Sequence, residues 1–107
     1  MAIKTLVKYV GAEPKVRDTG TEEICIRGMV KGLPDYESID FDGASYVFIS
    51  NKEAQNETPV NFNLTAKDFR GTVVVARAGE KGELASLNDE DIEKLTALLN
   101  DIGNKLT

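Results

Sequence analysis

The stretch YESIDFDGASYVFIS (residues 36–50) consists of two alternating runs of apolar and polar residues on either side of Asp42-Gly43. Asp-Gly between two such runs is a strong hairpin signal, because a type I′ turn needs a positive φ at both central residues. Ile39 and Phe41 would share one face of the first strand, since side chains alternate along a strand. The stretch therefore predicts a β-hairpin and, with it, an antiparallel sheet.

Two further strands are predicted from composition. The segment IKTLVKYV (3–10) is rich in β-branched and aromatic residues, which indicates a first strand. RGTVVVARA (70–78) is a nearly continuous apolar run, which is typical of a central strand. The glycines and the proline of residues 11–21 predict turn and loop, and they allow a short edge strand around Val16.

Residues 22–33 (EEICIRGMVKGL) fit two patterns. They alternate as a strand would, but four apolar side chains from Ile26 onward also fall on one helical face. Thr21 is a favourable N-cap, and a glycine and a proline at the other end suit a helix stop. We therefore expect a short N-terminal helix near 22–32, although Gly28 in its middle costs about 1 kcal/mol relative to alanine.

The segment SLNDEDIEKL (86–95) has the sequence of a helix N-terminus. Asn88 is a favoured N-cap, and Asp91 three residues later can reach back to it, as in a variant of the capping box. Leu87 and Ile92 are placed as a hydrophobic staple. Apolar residues then recur at helical spacing and predict a C-terminal amphipathic helix at 89–102, packed on one face of the sheet. These residues are Ile92, Leu95, Leu99 and Ile102.

The carboxylates of this segment raise the question of an acid–base or metal site. Asp89, Glu90 and Asp91 fill the first helical turn, where the helix macrodipole favours negative charge. The preference of a helix N-terminus for negative charge therefore accounts for each of them without a catalytic role. A carboxylate- and metal-dependent enzyme that uses Asp89, Asp91 or the acids of the hairpin remains a hypothesis, and we favour it less than the two hypotheses given below.

Composition bounds the function. The chain has 107 residues, which fits a single domain (1–107), and a net charge of −5, which disfavours nucleic-acid binding. It has no histidine, which excludes the commonest general base and most zinc sites, and we expect no cofactor. The single cysteine, Cys25, lies between Ile24 and Ile26 and is predicted to be buried and unreactive. A single cysteine cannot form an internal disulfide, which favours a cytoplasmic protein. The absence of a long apolar run disfavours membrane contact.

The hairpin carries the best acidic patch of the chain. Its spacing does not fit a calcium loop, so it is either a solvated face or a contact surface for a basic partner. The polar loop that follows, residues 51–63, is long enough to suggest a function. The predicted partner-binding residues are Asp35, Glu37, Asp40, Asp42, Asn51, Lys52, Glu53 and Glu57.

Two motifs carry a resemblance to a known family. G-T-x-x-V at 71–75 and S-L-N-D-E-x-I at 86–92, together with Asn61, resemble small uncharacterised proteins of phages and mobile elements that carry a domain of unknown function. The resemblance implies no catalytic residues. It does imply a setting, because small acidic proteins from such elements often bind and block a host protein, including host defence nucleases.

The sequence thus predicts an α+β fold: about four mostly antiparallel strands, a short N-terminal helix and a C-terminal helix on one face. The first functional hypothesis is a non-enzymatic acidic interaction protein that binds and inhibits a host protein, as an anti-CRISPR protein does. The second is a regulator that binds a small ligand or nucleotide between sheet and helix. An exposed edge strand would also permit a homodimer.

Overall fold

A computed structural model of the protein describes residues 2–54 and 57–104. These residues form eight strands and two helices. In chain order they are β1 (Ala2–Lys8), β2 (Lys15–Gly20), α1 (Glu23–Val30), β3 (Pro34–Phe41), β4 (Ala44–Asn51), β5 (Val60–Leu64), β6 (Lys67–Arg70), β7 (Val73–Ala78), β8 (Leu84–Ala85) and α2 (Asp89–Asn104). Six strands form an antiparallel sheet in the order β2-β1-β7-β4-β3, with β8 paired to the end of β7, while β5 and β6 form a separate hairpin.

The α+β class, the antiparallel sheet and the C-terminal helix are confirmed, but the prediction of about four strands is wrong. The chain also begins with two strands, so its first element is not the short helix. The β5–β6 hairpin was missed because its turn places Thr65 and Ala66 at φ 52° and 61°, without the glycine or asparagine that usually marks such a turn. β2 has exposed residues on both faces, so it lacks the alternation that identifies a strand.

The β3–β4 hairpin is confirmed. Asp42 and Gly43 adopt φ values of 52° and 84°, and Phe41 pairs with Ala44 across the turn. Both central residues thus have the positive φ that a type I′ turn requires. β7 lies between β1 and β4, so the predicted central strand is also confirmed.

Each side of the sheet carries its own apolar core. On the side that we call the α1 side, Ile26 and Val30 of α1 pack with Val47, Ile49 and Val74 of the sheet. The opposite side, the α2 side, is covered by α2 and by the β5–β6 hairpin. Its buried residues include Leu6, Tyr46, Phe48, Phe62, Phe69, Val73, Val75, Leu95 and Leu99. β7 contributes to both cores, because its successive side chains point to opposite sides.

Helix α1 differs in detail from its prediction. It begins at Glu23 with Glu22 as N-cap and no side-chain cap bond, so Thr21 does not cap it. Cys25 is exposed, and the prediction that it is buried is wrong. The apolar neighbours of Cys25 do not indicate its burial, because adjacent residues of a helix point about 100° apart, and Ile24 is itself 79% exposed.

No helix in the described ranges is long and apolar enough to cross a bilayer.

Replacing Gly28 by alanine is expected to stabilise the protein by about 0.5–1 kcal/mol, because glycine destabilises a helix interior and a Cβ there would meet open space. Gly32→Ala should have the opposite sign, since its Cβ would collide with the Asn51 carboxamide. Urea unfolding of both variants checks the pair. Equal effects would contradict the described course of α1 and of the turn that follows it.

Candidate functional site

The structure divides the four acids of the hairpin between the two sides of the sheet. Ile39 belongs to the core on the α2 side, and residues two apart along a strand share a side. Asp35 and Glu37 therefore project on the α2 side, whereas Asp40 projects on the α1 side. Asp42 lies in the turn and is mostly exposed. The predicted acidic patch is thus not one continuous surface.

Lys67 of β6 binds both acids on the α2 side. Its ammonium lies 3.0 Å from Asp35 Oδ2 and 3.5 Å from Glu37 Oε2. Burial would lower the pKa of Lys67, but the hydrogen bond and the charge of Asp35, with those of Glu37, outweigh this effect and raise the pKa. Two carboxylates thus share one ammonium, and the contact with Glu37, whose Oε2 is buried, is the longer of the two. One negative charge remains in excess at this edge of the sheet.

The other two acids also have partners nearby. Asp42 Oδ2 lies 3.6 Å from the ammonium of Lys94 on α2. Asp40 accepts a hydrogen bond from the Ser45 hydroxyl across the hairpin. The exposed ion pair of Asp42 contributes little to stability, and both Asp40 and Asp42 are exposed and thus accessible to a partner.

The predicted loop residues hold the connection between α1 and β3. Asn51 Nδ2 donates to Lys31 O (3.2 Å), and Asn51 Oδ1 accepts from the backbone N–H of Glu53 (2.8 Å). The Leu33 N–H donates to Glu53 Oε1 (3.2 Å), and the Lys52 N–H donates to Leu33 O (2.7 Å). These contacts give Asn51 and Glu53 a structural role that their polarity alone did not reveal.

The structure does not bring the predicted loop residues to the acids at the hairpin turn. Asn51 pairs with Pro34, at the opposite end of the hairpin from Asp42. Since a strand rises about 3.3 Å per residue, these ends lie roughly 23 Å apart. Glu57 is exposed, and positions 55 and 56 of the same loop lie outside the described residues. The role of these residues in partner binding stays a prediction.

Two of the residues that carry the family resemblance, Asn61 and Gly71, are joined by a hydrogen bond in the structure. Asn61 is buried, and its Nδ2 donates to Gly71 O (2.9 Å) and to Lys8 O (2.7 Å). Gly71 adopts a φ of 73°, a conformation that favours glycine. Asn61 and Gly71 thus help to join β5 to the sheet.

No protein-family model, curated protein or solved structure matches this chain. The resemblance to phage and mobile-element proteins therefore stays a prediction.

A groove lies on the α1 side, where the eight-residue helix leaves part of the sheet uncovered. Its volume is about 640 Å³. Ile3, Val47 and Leu84 supply apolar surface, and Tyr36 and Ser38 of β3 border it. The sequence did not reveal this groove, because it is assembled from four strands and one of them, β8, has only two residues.

The polar groups at the groove are hydroxyls and carboxylates. Thr21, Ser38 and Tyr36 contribute hydroxyl groups, and Glu83 contributes a carboxylate. Burial raises the pKa of Tyr36, and the charge of Glu23 raises it further. Among the described lining residues there is no lysine or arginine. The groove therefore favours a bound group that is apolar and either neutral or positively charged over an anion.

The outer edge of β3 adjoins this groove. β3 forms the end of the sheet, and within residues 2–54 and 57–104 its single strand partner is β4. Tyr36 is 46% exposed, and Ser38 is exposed as well. An unpaired strand edge presents a row of backbone donors and acceptors to any further strand. Edge and groove together form a candidate contact surface.

Asp91 is part of a buried polar cluster rather than a metal site. It accepts hydrogen bonds from the Tyr46 hydroxyl (2.6 Å) and from Arg77 Nη1 at both carboxylate oxygens (2.8 Å each). The capping box is confirmed, with Asp91 N donating to Asn88 Oδ1 (2.7 Å) and Asn88 N donating to Asp91 Oδ2 (3.0 Å). In the described part of the chain no three acidic or cysteine side chains are grouped as metal ligands.

The cluster changes the proton affinity of its members. Burial alone would raise the pKa of Asp91, but hydrogen bonds from Asn88, Tyr46 and Arg77 outweigh it and hold the pKa below its usual range. Burial and the hydrogen bond to Asp91 raise the pKa of Tyr46 well above that of a free tyrosine. The folded protein therefore keeps Asp91 ionised and Tyr46 neutral over a wide pH range.

Stability is expected to fall as the pH rises above about 10, the pKa of tyrosine in the unfolded chain. Between that pH and the raised pKa of Tyr46 the folded state holds a proton that the unfolded state has lost, which costs up to about 1.4 kcal/mol per pH unit. Urea unfolding between pH 8 and 11 measures the slope. Tyr46→Phe should show a shallower slope than the unmodified protein, while the exposed control Tyr9→Phe should match it. Identical slopes in all three proteins would contradict the role of Tyr46.

Proposed function

We propose that the protein is a non-enzymatic binding protein for another protein, and that the open edge of β3 with the adjoining groove is its contact surface. The observation that carries this proposal is the unpaired edge beside an apolar groove of about 640 Å³. Monomeric proteins usually cover or break up such edges, and exposed apolar patches mark interaction sites.

The buried ionisable groups support binding rather than catalysis. Active sites usually hold titratable groups with shifted pKa values inside a cleft. Here the ionisable groups with several hydrogen bonds or ion pairs have structural roles. Asp91 binds Arg77 and Tyr46, and Lys67 binds two acids on the α2 side. None of these four side chains borders the groove; Tyr36, whose pKa burial raises, does border it.

The narrower parts of the sequence-based hypothesis remain part of this proposal. The partner would be a host protein of a phage or mobile element, met in the cytoplasm, and binding would inhibit it. A host defence nuclease is one such partner. The acidic net charge of −5 is compatible with a basic partner surface.

A second candidate function, a regulator that binds a small ligand, is favoured by the size of the groove. Ligand pockets commonly enclose about 300–1,000 Å³ and are mostly apolar with a few polar groups. The acidic surroundings favour uncharged or cationic ligands over nucleotides. A ligand of this kind should raise the midpoint of thermal unfolding, and a screen of amines and uncharged metabolites without any such rise would count against this function.

Affinity capture with a groove variant tests the proposed function. Ser38→Arg places a long charged side chain at the groove and beside the strand edge, whereas Ala97→Arg introduces the same side chain at an exposed position of α2. Thermal unfolding first verifies that both variants are folded. We expect the unmodified protein and Ala97→Arg to retain one stoichiometric protein from a host lysate, and Ser38→Arg to lose it. Equal retention by Ser38→Arg, or no retention by any of the three folded proteins, would overturn the proposal.

A further inference from the structure

We propose that β3 binds an extended segment of the partner as an additional antiparallel strand, and that this segment alternates apolar and basic residues. The inference rests on the proposed function and names the chemistry of its partner. Strand addition suits this edge because β3 spans eight residues, Pro34–Phe41, all in register with β4 on their inner side. Backbone hydrogen bonds would supply affinity, and the side chains of β3 would select the sequence.

Side chains of the added strand on the α1 side would be apolar. They would lie next to Tyr36 and Ser38, because neighbouring side chains on one face of an antiparallel pair approach within about 5.5 Å. Ser38 is small and exposed, so a long apolar side chain can pass over it toward Val47 on the groove floor. The Tyr36 ring, half exposed in the free protein, would pack against the same residue.

Side chains of the added strand on the α2 side would be basic. They would face Asp35 and Glu37, which share the single ammonium of Lys67 and leave one negative charge uncompensated. Both carboxylate side chains are partly exposed, although Glu37 Oε2 itself is buried beside Lys67. A lysine or arginine opposite these carboxylates would supply the missing positive charge.

A second copy of this chain does not fit the edge. Pairing of β3 with β3 would bring Asp35 and Glu37 close to the acids of the other copy, and like charges opposite one another destabilise a sheet. The other edge strand, β2, runs parallel to β3 within the sheet, so β2 of a second copy could lie antiparallel to β3 only with its two sides exchanged. Its Lys15 and Arg17 would then face Asp35 and Glu37, but such head-to-tail pairing does not close and would polymerise the protein. We therefore assign the edge to a different protein, and a molecular mass that rises with concentration in light scattering would overturn this choice in favour of a second copy.

Two synthetic peptides of about nine residues, both acetylated and amidated, test the inference. One alternates leucine and lysine, and its control alternates leucine and glutamate. We expect the lysine peptide to slow hydrogen exchange of alternate β3 amides and to shift the NMR signals of Tyr36 and Ser38. The glutamate peptide should do neither. The double variant Asp35→Asn/Glu37→Gln should bind the lysine peptide several-fold more weakly, with Glu37→Gln alone as a milder version if the double variant is less stable.

Equal protection of β3 by both peptides would show that the added strand needs no basic residues, and would overturn that part of the inference. Shifts at Val47 and Leu84 without protection of β3 would overturn strand addition in favour of a ligand in the groove. If neither peptide binds while capture from the lysate still depends on Ser38, this inference is wrong and the proposed function stands. If capture does not depend on Ser38 either, both are wrong.

Discussion

Replacing Asp91 by alanine is expected to lower the free energy of unfolding by about 3 kcal/mol, a large part of the stability of a small domain. The side chain is 2% exposed and accepts hydrogen bonds from the Tyr46 hydroxyl, from Arg77 and from the helix N-cap. Its removal leaves the buried Tyr46 hydroxyl without an acceptor and Arg77 without its counter-charge. Buried polar groups that lose their partner cost about 1–3 kcal/mol each. The capping box also loses the bond from the Asn88 N–H, while the Asn88 side chain still caps the helix.

Asp89→Ala is the matched control for this experiment. Asp89 lies in the same first turn of α2 but is exposed, so its contribution is limited to the helix macrodipole, about 0.3–1 kcal/mol. Urea unfolding at pH 7 measures both variants. If Asp91→Ala lost no more stability than Asp89→Ala, the cluster with Tyr46 and Arg77 would contribute nothing beyond helix-start electrostatics. Asp91→Asn should fall between the two, since it can still accept a bond from Asn88 but lacks the charge.

This cluster shows which contacts a sequence can and cannot predict. The bonds between Asn88 and Asp91 join residues three apart, and the capping pattern predicted both. The hydrogen bond from Tyr46 spans 45 positions, so local spacing contains no signal for it. The acids were therefore correctly assigned to a helix start, while the most important role of Asp91 was not visible.

The strands follow the same rule. The Asp42-Gly43 turn was predicted because its two residues are the ones that accept positive φ, whereas the turn at Thr65 and Ala66 uses residues that rarely do. The groove depends on Ile3, Val47 and Leu84, three residues that only the folded sheet brings together. The acids of β3 were found from composition, and strand alternation alone divides them between two sides. What lies opposite them, Lys67 on one side and the groove on the other, is visible only in the fold. Local sequence patterns thus predict secondary-structure elements, whereas the contact surface depends on how the fold arranges those elements.

Replacing Phe69 by alanine is expected to lower the free energy of unfolding by about 3–5 kcal/mol, the usual cost of truncating a buried phenylalanine. Phe69 is 1% exposed; its ring stacks on Phe62 at 5.0 Å and lies 5.9 Å from Phe48 of β4. The β5–β6 hairpin is two-stranded, and an isolated hairpin of this kind is at best marginally stable. These rings therefore hold the hairpin on the sheet.

The effect of Phe69→Ala should extend to the contact surface, because β6 also carries Lys67. Once the hairpin loosens, Lys67 is no longer held at Asp35 and Glu37, and the edge of β3 becomes more acidic. Urea unfolding measures the loss of stability against Tyr9→Ala, whose ring is 41% exposed and whose truncation should cost less than about 1 kcal/mol. Hydrogen exchange should show β5 and β6 losing protection before β4 and β7 do. Uniform loss in all four strands would mean that the hairpin unfolds only together with the sheet, and that Phe69 stabilises the whole core rather than one attachment.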